Sequence, residues 1–347
     1  YCDHRDLHSF PTRRSSDLNL VRQGFSGQIY ATPASVRLTE IMLLDSGHIQ
    51  EADAEFVNHK RLRRGEELIE PLYTQQDAAQ VAQHLIGIPY NTPFEPLPGV
   101  TACFFDAGHI LGSAAIRLEL EEKGRSVNLW FSGDIGREKL PLLNDPVLPF
   151  GKTDYLLMES TYGDKPHRDP EEAFLEFNQV VKQTAERGGK IIIPAFAVGR
   201  TQELVYCLNQ MIQHGDLPAL PIYVDSPLAV QASMIFQRFP EYFDDETQRF
   251  IQQHRHPALD FEQLHYVQNV EESKKINDMP GPLIIISASG MAETGRILHH
   301  LRNNIENPRN TIIIVSWQAP DTLGRRLAER ATTIKIFGEA FQRSAQV

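Results

Sequence analysis

The chain is predicted to be an α/β protein of two domains, on three observations. At 347 residues it exceeds the ~250–300 residues at which a single hydrophobic core stops growing. Between Asn19 and Glu159 the pattern is β-rich, with apolar runs separated by turn residues. From about Pro170 onward, four apolar runs each precede a helical stretch. Runs apolar on both faces that alternate with helices indicate a parallel sheet covered on both sides. The change of rhythm puts a boundary near Gly163–Pro170, giving segments 19–165 and 166–347.

In the first segment "QIYATPAS", "VTACFFDAGH", "AAIRLELEE" and "SVNLWFSGD" read as strands, with helices over Gln50–Arg64 and Gln75–Leu85. In the second, "KIIIPAF", "LPIYVD", "PLIIIS" and "NTIIIVS" are the buried strands. No internal repeat and no low-complexity tract interrupts them.

With 41% hydrophobic and 23% charged residues the composition is that of an ordinary globular protein. No apolar run reaches the ~18 residues that would span a bilayer, and no membrane partner is expected. Three cysteines (Cys2, Cys103, Cys207), none in a CxxC pair, fit a reducing, cytoplasmic setting and leave any metal to His and carboxylate. The net charge of −11 argues against a protein that coats itself with nucleic acid through bulk positive potential. It leaves room for a local basic groove. Lys60, Arg61, Arg63 and Arg64, and Arg325, Arg326 and Arg330, are the basic clusters, and solvated helix faces explain both.

Candidate chemistry sits just past apolar runs. In "FFDAGHILGSA", His109 lies between Gly108 and a second small-residue turn; in "LWFSGDIGR", Asp134 is flanked by Gly133 and Gly136. An N and an O donor presented by permissive glycines suit a divalent metal. A core histidine and a turn aspartate remain the alternative for either alone. Glu159 ends a third apolar run, "DYLLMESTYGD".

These motifs, with "IPAFAVGRTQE", "YVDSPLA", "SASGMAETGRILHHL" and Thr322–Arg326, resemble the metallo-β-lactamase fold in its β-CASP branch, a family of RNA-processing nucleases and cleavage-factor subunits. The resemblance covers Asn19 to Val347. It implies a partial αββα metallo-β-lactamase sandwich over 19–165 and an inserted β-CASP parallel-sheet domain over 166–347. It further implies two Zn2+ ions, with His109 similar to a zinc-ligand histidine and Asp134 to the aspartate that bridges the two metals. Glu159 is similar to the acidic residue of the first β-CASP motif. Two metals roughly 3.5–4 Å apart would clamp the attacking and leaving oxygens of an in-line displacement on RNA.

The second segment supplies candidate RNA phosphate contacts. In "IPAFAVGRTQELVYCL" a strand ends, Gly199 allows a tight turn and a helix begins near Thr201, so backbone N–H groups and Arg200 could face an anion. The Ser287–Gly290 turn, through Ser287, Ser289 and Gly290, repeats the arrangement and adds Arg296 and His299. Simple capping and turning is the alternative for each of these residues. A dinucleotide site is disfavoured, because no GxGxxG follows any of the strands. His300 is expected to be structural, and His48 in "DSGHIQEADAE" is left without a role.

The family's H-x-H-x-D-H run should precede "VRQGFSGQIYATPA". Counting back from Val21, its ligand positions fall at His8, Phe10, Thr12 and Arg13, of which only the first is ligand-like. His4-Arg5-Asp6 imitates a kinase catalytic loop, but Pro11 stands where the Asn belongs and no Asp-Phe-Gly follows. Arg5–Leu18 is instead what one frame of a common sequencing-adapter oligonucleotide encodes, so residues 1–18 are expected to be an artefact, which resequencing the locus would decide. The family's later Ser-Ala-His motif and following histidine are also missing. With His109 and Asp134 the only metal ligands left, the chain as written is expected to bind zinc poorly and to be inactive. The intact parent is expected to hydrolyse RNA, and a homodimer is compatible with that. A non-catalytic RNA-binding or assembly subunit and a small-molecule thioesterase or lactonase are the rival functions.

Overall fold

The computed structural model describes residues 18–347, apart from 165 and 256. The expectations placed on residues 1–17, kinase-like, ligand-like and adapter-derived alike, lie outside the described residues. Two compact units emerge. Among the described residues, the first contains 18–106 with Gly112–Gly133 and Pro149–Leu157; the second contains Ala107–Leu111, Asp134–Leu148 and Met158–Val347. Two loops that follow strands of the first unit thus belong by contact to the second, and the last division by contact falls after Leu157.

In the first unit, β1 (Ile29–Ala31) pairs in parallel with β2 (Leu85–Gly87). A five-stranded sheet runs in the order β3 (Phe94–Leu97), β4 (Val100–Asp106), β5 (Ala114–Glu122), β6 (Arg125–Phe131) and β7 (Tyr155–Leu157). It is antiparallel as far as β6, and β7 joins in parallel. The strand expected over "QIYATPAS" ends early because Thr32 caps a helix, its hydroxyl accepting the Ser35 N–H at 3.2 Å, and Pro33 takes the first helical position. The helix expected from Gln50 is the second half of this 31-residue α1 (Pro33–Arg63). A capping box at Thr74 and Asp77 starts α2 (Gln75–Ala82), which packs Ala78 and Val81 with Leu43 and Tyr73. Leu18, the last residue of the expected artefact, is fully buried in that same cluster.

The second unit is built on a wholly parallel sheet in the order β10 (Leu264–Tyr266), β9 (Ile222–Val224), β11 (Leu283–Ser287), β8 (Lys190–Pro194) and β12 (Thr311–Ile312). Every residue of β8 and β11 is buried, as a strand covered on both faces requires. The helices are α3 (Pro170–Glu186), α4 (Arg200–Gln213), α5 (Pro227–Phe236), α6 (Asp245–His254), α7 (Val270–Asp278), α8 (Ile297–Asn304) and α9 (Leu323–Ala328). Ile192, Ile285 and Ile312 pack with Ile276 of α7, Ile297 and Leu301 of α8, and Leu327 of α9. Each such side chain contributes about 1.5–3 kcal/mol when fully buried. The hairpin β13 (Thr333–Ile336) and β14 (Glu339–Gln342) closes the described fold.

Strand order fixes where this sheet can hold a ligand. After β8 the chain passes to β9, and after β11 it passes the other way, to β12. With right-handed crossovers, the helices that follow the neighbouring strands β8 and β11 go to opposite faces. The carboxyl ends of these two strands are therefore a topological switch point, the position at which open α/β sheets bind ligands.

Candidate active site

The residues singled out beside the strands of the first unit all fall in the second. His109 lies in the loop after β4, Asp134 in the loop after β6, and Glu159 just past β7. Their loops are clasped. The Gly136 N–H donates to the Ala107 carbonyl at 2.7 Å, and the Ile135 N–H donates to Glu159 Oε1 at 2.5 Å. A Cβ on Gly136 would stand 1.7 Å from the Gly108 oxygen and 2.7 Å from the His109 nitrogen, so only glycine permits the approach. His109 and Asp134 are exposed, and Glu159 is partly buried.

Electrostatics couple the cluster. Burial pushes the Glu159 carboxyl up, but hydrogen bonds from the Thr161 hydroxyl, the Ile135 amide and the Thr161 amide, with the nearby His109 ring, outweigh it. The carboxyl is held below its ordinary range and is ionised at neutral pH. Three further residues of these loops, Tyr162, His167 and Arg137, carry no metal-ligand or strand-end signature in the sequence. The Tyr162 ring meets His167 edge-on at 4.6 Å, and burial together with Arg137 holds that imidazole below its ordinary value. Arg137 itself donates to the Arg168 carbonyl at 2.7 Å. Its signal was its place in "SGDIGR", beside Asp134.

Among the described residues no three His, Cys, Asp or Glu side chains converge as a metal site. His109 and Asp134 fall short of the roughly three protein ligands of a catalytic zinc, so the described donors do not by themselves fit that metal.

The two candidate phosphate turns meet at this switch point. Ser287 and Pro194 are register partners, and the Ala195 N–H donates to the Ser287 carbonyl at 3.0 Å. Gly199, at φ +86°, would place a Cβ 2.7 Å from Ile110 Cγ2, so the turn before α4 abuts the His109 loop. The turns nevertheless satisfy many of their own groups. The Gly199 N–H donates to Gln202 Oε1 at 2.8 Å. Thr201, expected to face an anion, is buried, and its hydroxyl donates to the Phe196 carbonyl at 2.7 Å. Arg200 is partly buried, its Nη1 donating to both Glu203 oxygens at 2.7 Å. Burial pushes the Glu203 carboxyl up against the pull of Arg200 and Arg137.

The second turn behaves likewise. Ser287 is buried, and its hydroxyl donates to the Asp225 carbonyl at 2.7 Å. Gly290 is buried, and its carbonyl accepts from Gln318 Nε2 at 3.1 Å. Ser289 is partly exposed, its hydroxyl accepting the Glu293 and Thr294 N–H groups at 3.2 and 3.3 Å. Arg296, expected to contact phosphate, turns inward, with Nη1 on Asp225 Oδ1 at 2.6 Å and Nη2 on the Gln268 carbonyl at 2.5 Å. His299 is exposed, its ring 4.8 Å from that of Phe337. His300 is fully buried, with Nε2 2.7 Å from Asp225 Oδ2 and Nδ1 3.0 Å from Asn277 Oδ1. Burial pushes the Asp225 carboxyl up, but hydrogen bonds from His300, Ser273 and Arg296 prevail and hold it below its ordinary range. His48 stands exposed on α1, in the first unit.

Comparison with known proteins agrees with this architecture. The Beta-Casp domain model matches residues 201–327, within the second unit. Ribonuclease TTHA0252 of Thermus thermophilus is 35% identical over 329 residues, 94% of this chain and 70% of that protein. Transcription termination factor FttA is 32% identical over 323 residues in Methanosarcina mazei and 33% over 321 in Pyrococcus abyssi. The chain spans 48% and 46% of the length of those two archaeal relatives. With this likeness to the Thermus protein over 94% of its own residues, the chain belongs to the β-CASP family of RNA-processing nucleases, hydrolases that use divalent metal.

Proposed function

We propose that the protein hydrolyses RNA phosphodiester bonds in the cytoplasm, with Glu159 as a catalytic carboxylate and zinc as its metal. His109 and Asp134 would supply a nitrogen and an oxygen donor toward that metal. The observation that carries this reading is the clasp of the three loops through Gly136, Ile135 and Glu159. An ionised carboxylate fixed beside an imidazole can orient a water and take its proton. RNA lies in a crevice at the carboxyl ends of β8 and β11, where Arg200 and Ser289 keep partly exposed groups, with exposed His299 on α8 as a further contact. The name of the Thermus relative, a ribonuclease, supports the substrate class.

The test is RNA cleavage by the full-length protein. Glu159→Gln should lower kcat by about 10²–10⁴-fold while RNA binding persists. His109→Ala and Asp134→Ala should each lower the zinc content measured by elemental analysis. Full turnover by Glu159→Gln, or by protein stripped of metal, would exclude the reading.

A further inference from the structure

Asp225, immediately after β9, has no part in the clasp of catalytic loops, yet β11, α7 and α8 with its N-cap Arg296 converge on it. Its carboxylate, fully buried, accepts from Ser273 Oγ of α7 at 2.5 Å, from Arg296 Nη1 at 2.6 Å and lies 2.7 Å from His300 Nε2 of α8. Its carbonyl accepts from the Ser287 hydroxyl at 2.7 Å, and its N–H donates to the Ile286 carbonyl at 2.9 Å. Ser287 and Arg296 are the two ends of the segment that leads from β11 to α8 at the switch point. Between them, Ser289 gathers the Glu293 and Thr294 amides, and Gln318 holds the Gly290 carbonyl. One residue thus fixes both ends of a loop whose middle is braced separately.

We propose that Asp225 is a positioning residue for RNA: through Ser287 and Arg296 it holds the 287–296 loop in the form that receives the RNA backbone at the crevice. The inference rests on the reading of that crevice as the RNA path. Arg296 acts through Asp225 rather than by touching phosphate, so its guanidinium shapes the wall and leaves direct contact to Ser289 and His299. Coupling of this kind through a packed hydrogen-bond network changes affinity by about 2- to 30-fold without contact to the ligand.

The experiment measures steady-state cleavage of a single-stranded RNA by the full-length protein. Asp225→Asn keeps the shape but turns a donor toward Arg296 or His300, and it should raise KM about tenfold with kcat changed less than about threefold. Ser273→Ala removes one hydrogen bond only, keeps the fold if Asp225→Asn does not, and should raise KM about two- to fivefold. The double variant Asp225→Asn/Arg296→Gln separates positioning from charge balance. It removes the uncompensated buried cation and should recover thermal stability while KM stays raised. Recovery of KM in the double variant, or a folded Asp225→Asn or Ser273→Ala protein with wild-type KM, overturns the proposal. Glu159→Gln is measured alongside: if it keeps full turnover the proposed function fails, and the positioning role with it. If Glu159→Gln is inactive while folded Asp225→Asn has an unchanged KM, the positioning role alone fails.

Discussion

Replacing Gly136 by alanine tests whether the loop clasp governs the chemistry. An ideal Cβ at this position meets the Gly108 oxygen at 1.7 Å, the Gly108 carbonyl carbon at 2.1 Å and the His109 nitrogen at 2.7 Å. All three atoms are backbone, so no side chain can rotate out of the way. Ordinary contact begins near 3.4 Å, and the two loops must part by roughly 1.5 Å to admit the methyl group. That movement breaks the 2.7 Å hydrogen bond from Gly136 to Ala107. Overpacking costs about 1–3 kcal/mol and the lost bond about 0.5–1.5 kcal/mol. The stiffer unfolded chain offsets about 0.4–1 kcal/mol of this, leaving a net loss of roughly 1–3 kcal/mol in urea denaturation. A displacement near 1 Å at a reacting centre costs on the order of 10²-fold in rate, so kcat for RNA cleavage should fall at least that far. A Gly136→Ala protein that cleaves RNA at the wild-type rate would refute the argument, and reduced stability with intact turnover would refute its catalytic half.

Gly189 is held by a similar approach, its Cβ position 1.8 Å from the Arg309 carbonyl oxygen. Gly189→Ala should destabilise the protein by about 1–3 kcal/mol in chemical denaturation, and unchanged stability would mean that the loop before β8 yields freely. Asp225 should give the stability curve an acid limb. Because its carboxyl is held below the unfolded value, the folded state binds fewer protons, so its contribution is present above the usual carboxylate range and is lost as pH falls through its own lower pKa. Thermal melts from neutral to acid pH should show that limb shrinking in Asp225→Asn; an identical slope in both proteins would contradict the assignment. The depressed pKa of Glu159 likewise predicts that its contribution to the acid limb of the pH–rate profile falls below the usual carboxylate range. A limb attributable to Glu159 at or above that range, absent in Glu159→Gln, would count against it.

The parallel sheet was legible because unbroken runs such as Ile191-Ile192-Ile193 and Ile284-Ile285-Ile286 have no polar face to expose. The long α1 was not. Its buried positions, from Ala34 to Ala54, fade in the last turns, while Leu44, Ile49, Phe56 and Leu62 stay exposed, so no single apolar stripe marks its length. The Thr32-Pro33 cap was readable, and it carried the information that periodicity lacked. His109 and Asp134 could be picked out by residue type and flanking glycine, and Glu159 by its place at the end of an apolar run. What joins them could not, because the Gly136 approach to Gly108 is a tertiary contact between distant loops. Thr201, Ser287 and Arg296 illustrate the opposite limit. A strand, a small-residue turn and a helix look the same in sequence whether the turn faces an anion or satisfies itself, and only the buried Asp225 carboxylate decides where Arg296 points.

The way the second unit is spliced has a practical consequence for anyone cutting the gene. An expression fragment started at residue 166 would keep the whole parallel sheet yet leave behind His109, Asp134 and Glu159, which reach that unit on separate stretches of chain. Scaffold and reactive groups are therefore not portable as one contiguous piece. A split protein would have to restore the crossings of Ala107–Leu111 and Asp134–Leu148, and the stretch from Met158 on, before it regained the cluster.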